Sequence, residues 1–187
     1  MNLINKLVTK RIINKEDTDL YEYSFNILKS YIFFAMIVVL GNLFTKNFGT
    51  TILFLIIFFS LRKYCGGFHF NHKLTCYAFS IILTLLVPVI SNHIFIARLH
   101  IILLQLFISV MLIFFPIIEI PQKNLTTDEK KHYKVASIKI LIILLIINCI
   151  CLLFYFYKIC IIFLISLLVT FLSVLFGFLK YMRIKNN

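Results

Sequence analysis

Long stretches without a charged residue divide this chain. Apolar runs fall at roughly 30–45, 48–61, 74–91, 99–119, 135–157 and 159–179. About 20 helical residues cross the ~30 Å hydrocarbon layer of a bilayer at 1.5 Å per residue. The last three runs meet that length. The third is marginal and can borrow Phe68–Phe70. The first two are short and could form a re-entrant pair in place of two full spans. The pattern predicts an all-α integral membrane protein of about six transmembrane helices.

Composition agrees. Apolar residues make up 61% and charged residues 14% of the 187, whereas soluble domains are nearer half and a quarter. A water-soluble globule is excluded, and so is disorder, which requires low hydrophobicity. The length leaves no room for a large extramembrane domain, so residues 1–187 read as one membrane-embedded unit, with 1–29 as a cytoplasmic or interfacial N-terminal segment. Residues 1–20 are mixed polar and lack the apolar core of a secretory signal. Within 1–15, Leu3, Ile4, Leu7, Val8 and Ile12 share one half of a helical wheel beside Lys6 and Lys10, while Arg11 and Lys15 intrude. This segment reads as a basic interfacial helix or as a plain topology determinant.

Lys and Arg number 19 against 7 acids, a net charge of +12. The cations sit between apolar runs, which points to topology rather than nucleic acid. From the N-terminus the gaps hold five, one, three, one, five, one and three of them, so 16 of the 19 fall in alternate gaps. The positive-inside rule places those gaps, both termini and the 62–73 loop in the cytoplasm.

Reactive groups are scarce. Of the seven acids only Glu119 lies near an apolar run, and Gln105, Asn42 and Asn148 nearly complete the polar supply of the spans. Ion-coupled transport, which uses several such groups, is disfavoured. The unusual segment is 62–76, with Arg62, Lys63, Cys65, Gly66, Gly67, His69, His72, Lys73 and Cys76. One reading is a cysteine nucleophile, Cys76, with His69 as base. Cys76 falls in the first turn of the third predicted helix, with Asn71 or Thr75 as candidate N-cap, and a helix start favours an anion. His69 is seven residues away, about 10.5 Å along a continuous helix. A dyad therefore needs a non-helical 66–71, which Gly66-Gly67 permits. A second reading is a zinc site from Cys65, His69, His72 and Cys76, right in ligand type but unlike common zinc spacings. A third is packing, with Cys as a small apolar residue and His at the headgroups. Cys149, Cys151 and Cys160 read as packing residues in lipid, and no disulfide framework is expected at a reducing face. Glu119, between Pro116 and Pro121, is a candidate to orient His69 or an ordinary loop-edge carboxylate. No P-loop or carboxylate metal cluster occurs, so no cofactor is expected.

Arg62-Lys63, Gly66-Gly67, His69 and Cys76, with the stretch Pro116–Pro121 and the polar residues 122–131 that follow, resemble the accessory gene regulator protein B family (AgrB) of Gram-positive quorum sensing. The resemblance covers nearly the whole chain. It implies a bacterial cell-membrane cysteine endopeptidase that matures a cyclic autoinducing peptide, with Cys76 as nucleophile and His69 as base. Arg62 and Gly67 also match positions of the family pattern; with Gly66 they would shape the loop. Arg62, Lys63 and Lys73 are candidate contacts for the acidic tail of an AgrD-like precursor. Membrane lipids and a second copy of the chain are the other expected partners, and nucleic acid is not. Cys65 departs from the small Ala or Ser of relatives, and His72 has no family role. The rival class is a non-enzymatic scaffold or permease subunit with a Cys/His metal site at 65–76.

Overall fold

A computed structural model describes residue 14 and residues 17–68, 73–115 and 126–186. Among them the regular structure is helical: α1 Thr18–Thr45, α2 Phe48–Cys65, α3 Lys73–Ser91, α4 Arg98–Phe114, α5 Thr127–Leu153 and α6 Tyr157–Asn186. The interfacial helix expected over 1–15 lies outside the described residues, apart from Asn14.

Helix ends depart from the apolar runs where local chemistry intervenes. α1 starts at Thr18, with Asp19 in its first turn, and runs for 28 residues. It and the 18-residue α2 both have the length and apolarity to cross a membrane. α5 begins two turns before its apolar run because Thr126 and Glu129 form a capping box: Thr126 Oγ1 accepts from the Glu129 amide at 3.3 Å, and Glu129 Oε2 from the Thr126 amide at 2.9 Å. α4 is the short helix. It has 17 residues, about 26 Å of rise, and stops where Phe115 turns extended at φ −67°, ψ 137°. Phe115 precedes Pro116, whose ring disfavours helical angles in the residue before it. The run 99–119 is therefore not one continuous span-length helix from end to end. The other five helices qualify as spans.

The chain divides into two compact units, Met1–Gly41 and Asn42–Asn187. The first contributes the greater part of α1. There Ser24 and Ser30 turn their hydroxyls back to the carbonyls of Leu20 and Asn26 at 2.8 and 2.9 Å.

The second unit is a bundle around α6. Half of the α6 apolar window is buried, against 33% for α2 and 22% for α3 and α5. Its main core joins Ile57 and Leu61 of α2, Ile108 and Leu112 of α4, Leu141 of α5 and Phe163, Leu164, Leu167 and Val174 of α6. The polar distribution is inverted relative to a soluble protein. Thr51, Gln105, Ser109, Asn148, Ser166 and Thr170 are buried, while Ile56, Ile82, Phe107, Ile143 and Phe176 face outward. This suits a lipid solvent, in which apolar faces need no cover and polar groups serve as glue between helices. Asn148 Nδ2 donates to Gln105 Oε1, and Gln105 Nε2 donates to the Cys160 carbonyl at 3.2 Å. These bonds tie α5 to α4 and α4 to α6.

The unit has two ends. At one, the end of α2, the starts of α3 and α5, the end of α4 and the later turns of α6 converge. Lys134 Nζ donates to the Phe115 carbonyl at 2.6 Å, and the Phe115 ring meets Phe171 and Phe178 edge-on. At the other, Thr51 Oγ1 donates to Asn42 Oδ1 at 2.7 Å and Asn92 Nδ2 to Asn47 Oδ1 at 3.0 Å. Arg98 there lies 3.8 Å from the Tyr155 ring centre and donates from Nε to the Tyr157 hydroxyl. Its hydrogen bond and charge hold the Tyr155 phenol below its ordinary pKa.

Candidate functional site

α2 ends Arg62-Lys63-Tyr64-Cys65, and the chain then reverses through two glycines with positive φ, 72° at Gly66 and 151° at Gly67. The Gly66 amide still donates to the Arg62 carbonyl at 3.1 Å, closing the last turn of α2. Gly67 lies against α6. A Cβ there would stand 2.5 Å from Ser173 Oγ, so both backbone angle and space require glycine. Phe68 docks beside it. Its amide donates to the Ser173 carbonyl at 2.8 Å and approaches Ser173 Oγ at 3.3 Å. Lys180 Nζ sits 5.2 Å from the centre of its ring. Phe68 is thus held on α6 and does not extend α3.

Arg62 ties this loop to the end of α2. Its Nη2 donates to the Phe68 carbonyl at 2.9 Å. Its guanidinium stands 5.5 Å from the centre of the Phe58 ring, one turn back on its own helix. It also interacts electrostatically with Cys76. Cys76 occupies the fourth position of α3, in its first turn, and is partly exposed. Thr75 is inside that helix rather than its cap.

Cys65 has a different setting. It is buried at 7% exposure in the main core, close to Ser137 and within electrostatic reach of Lys134, both on α5. Lys63 is exposed, its ammonium 5.2 Å from the Tyr64 ring centre.

Among the residues singled out from sequence, the structure therefore joins Arg62, Gly66 and Gly67 in one turn, with Cys76 within electrostatic reach of Arg62. His69, His72, Asn71 and Glu119 lie outside the described residues, and of Lys73 only the backbone is described, at the head of α3. Among the described residues no three His, Cys, Asp or Glu side chains gather as metal ligands would. Cys160 is buried, Cys151 half-buried and Cys149 turned outward.

Two contributors escaped the sequence reading, Ser173 and Lys180. Ser173 lies 105 residues from Phe68, inside a run that reads as uniformly apolar. The available signal was the spacing Ser166, Thr170, Ser173, a small polar stripe along one helix. Ser166 and Thr170 return their hydroxyls to the carbonyls four residues back, at 2.7 and 2.8 Å. Such residues cost little in a helix and let neighbouring backbone approach. The polar supply of the spans is wider than Gln105, Asn42, Asn148 and Glu119 for the same reason.

These features define a multi-pass, all-α membrane protein with a glycine-hinged loop, tied by an arginine, at one end of its bundle. Residues 1–177 match the model of the AgrB family, accessory gene regulator B, and the chain belongs to that family. No curated protein and no solved structure matches it. Family membership places the chain in accessory-gene-regulator quorum sensing, as a membrane protein of peptide processing with a precursor peptide as its substrate.

Proposed function

We propose that the protein is a membrane cysteine endopeptidase that removes the C-terminal tail of an autoinducing-peptide precursor and promotes its cyclisation. The observation that carries the reading is the placement of Cys76. It is a partly exposed thiol in the first turn of α3, within electrostatic reach of the guanidinium that holds Phe68.

In this mechanism His69 takes the proton of the Cys76 thiol. The thiolate adds to the scissile carbonyl, and the tetrahedral intermediate collapses as the tail amine leaves with the proton from His69. A thioester now joins Cys76 to the precursor. A Cys or Ser within the precursor attacks that thioester, giving a thiolactone or lactone and returning the thiol of Cys76. Exchange of one thioester for another is nearly thermoneutral, so ring closure depends on keeping water from the acyl-enzyme, which a bilayer-edge site favours. The precursor lies on the inner leaflet. Its acidic tail meets the basic end of the bundle, where Arg62, Lys63 and Lys73 are the candidate contacts. Both termini and the 62–76 loop face the cytoplasm, the side on which the Lys- and Arg-rich gaps belong.

The test is co-reconstitution with the precursor encoded beside this chain, followed by mass spectrometry of the trapped adduct. Tail release with a precursor-sized adduct on Cys76 is expected, and Cys76→Ala should abolish both while inserting normally. His69→Ala should slow acylation by about 10²–10⁴-fold. Full tail release by Cys76→Ala removes the nucleophile assignment, and near-normal acylation by His69→Ala at neutral pH removes the base.

A further inference from the structure

We infer that Ser173, on the last helix, is a positioning residue for this site. It acts through Phe68 to fix the Arg62 guanidinium at the end of the bundle where α3 carries Cys76. The inference rests on the peptidase reading for its consequence but on separate contacts for its geometry.

The contacts form a continuous chain from α6 through Phe68 to Arg62 at the end of α2. Ser173 receives the Phe68 amide on its carbonyl at 2.8 Å and, more distantly, on its hydroxyl at 3.3 Å. The opposite side of the same residue, the Phe68 carbonyl, accepts from Arg62 at 2.9 Å. Phe68 is therefore gripped at both its polar backbone atoms. Gly67 completes the fit, since the space where its Cβ would be belongs to Ser173 Oγ. Lys180, seven residues further along α6, bears on the Phe68 ring. On the far side Arg62 is limited by the Phe58 ring and interacts with Cys76. If Phe68 left α6, Arg62 would lose its carbonyl partner and the loop its backbone bond to the helix at the centre of the bundle. A guanidinium holds its place through directed hydrogen bonds, and misplacement of about 1 Å around a reacting group can cost ~10²-fold in rate.

Val and Thr are nearly isosteric and differ in the hydroxyl, so they separate hydrogen bonding from packing. Ser173→Val and Ser173→Thr are prepared as full-length protein in nanodiscs. Amide exchange of the Phe68 N–H, single-turnover acylation of Cys76, precursor binding and thermal unfolding are measured for each. The expected result for Ser173→Val is weakened Phe68 protection, since the 2.8 Å bond to the carbonyl of residue 173 stays, and acylation slower by roughly three- to tenfold, with precursor binding and melting temperature held. Ser173→Thr should restore most of both. Wild-type acylation by Ser173→Val overturns the inference. So does an unprotected Phe68 amide in the wild type, and so do equal losses in Val and Thr that follow a lowered melting temperature. Should valine prevent folding, Ser173→Ala carries the same readouts with a loss of about three- to fivefold. A wild-type protein that never forms a Cys76 adduct removes the peptidase reading instead, and the exchange pattern still decides whether Ser173 holds the loop.

Discussion

The two ends of the Asn42–Asn187 bundle are closed by different means. At the far end, neutral amide and hydroxyl side chains bond to each other, Thr51 to Asn42 and Asn92 to Asn47, and Arg98 rests on tyrosine side chains. At the loop end, cations bond to backbone carbonyls, Arg62 to Phe68 and Lys134 to Phe115. Neutral pairs close a bundle and leave no field behind. A cation on a carbonyl holds the backbone and keeps its charge for something else. The loop end is therefore fastened by groups that can also act on an anion, a thiolate or an acidic peptide. At the far end the cation named above, Arg98, is engaged with the Tyr155 ring and the Tyr157 hydroxyl rather than with backbone. If that contrast is right, substitutions at the loop end should damage chemistry more than stability, and those at the far end the reverse.

The largest effect is expected at Gly67. Replacing it with Leu forces a side chain into left-handed backbone and against Ser173, strain of order 1–3 kcal/mol before any overlap. The loop must leave α6, and tail release should fall by more than about 100-fold in protein that still inserts. Activity within a few-fold of wild type would show that the loop need not dock. Arg62→Lys comes next. Lysine keeps the charge but not the planar fork that reaches Phe68 while resting on Phe58. Acylation should drop by about tenfold, with a larger loss for Arg62→Gln. Equal activity of Lys and Arg at this position would reduce Arg62 to a point charge.

The far end supplies the counterpart. Thr51→Val or Asn92→Ala removes one buried or half-buried bond, worth about 0.6 and at most ~1.7 kcal/mol in a membrane. The melting temperature should fall and single-turnover acylation should not change. A rate loss without a stability loss would break the contrast between the ends.

What could be read from sequence follows the same division. The spans were legible because a bilayer demands long uncharged runs and little else. Their ends were not, since Thr126 with Glu129 started α5 early and Pro116 stopped α4 soon after Phe114. Arg62, Gly66, Gly67 and Cys76 were legible because a turn and a helix start are local events, encoded within fifteen residues. Ser173 was not. Its partner is 105 residues away, and a serine in an apolar run declares a helix contact without saying which helix.

Cys65 gives the smallest expected effect and the sharpest separation of readings. It is eleven residues from Cys76 and equally a thiol, yet it is packed among Ile57, Leu61 and Leu141, while Cys76 is partly open and within electrostatic reach of Arg62. An alkylating reagent in water reaches thiols that are exposed and outside lipid. One fast-reacting cysteine is expected at neutral pH, absent in Cys76→Ala and retained in Cys65→Ala. Tail release by Cys65→Ala should stay within about twofold, because removing one buried sulfur leaves a small cavity and touches none of the loop contacts. A Cys65→Ala protein that inserts normally but no longer processes its precursor would instead tie both thiols to one function. With stoichiometric zinc in the wild type and loss of it in that variant, residues 65–76 would be a metal site, and the loop end of the bundle would owe its cations to structure rather than to catalysis.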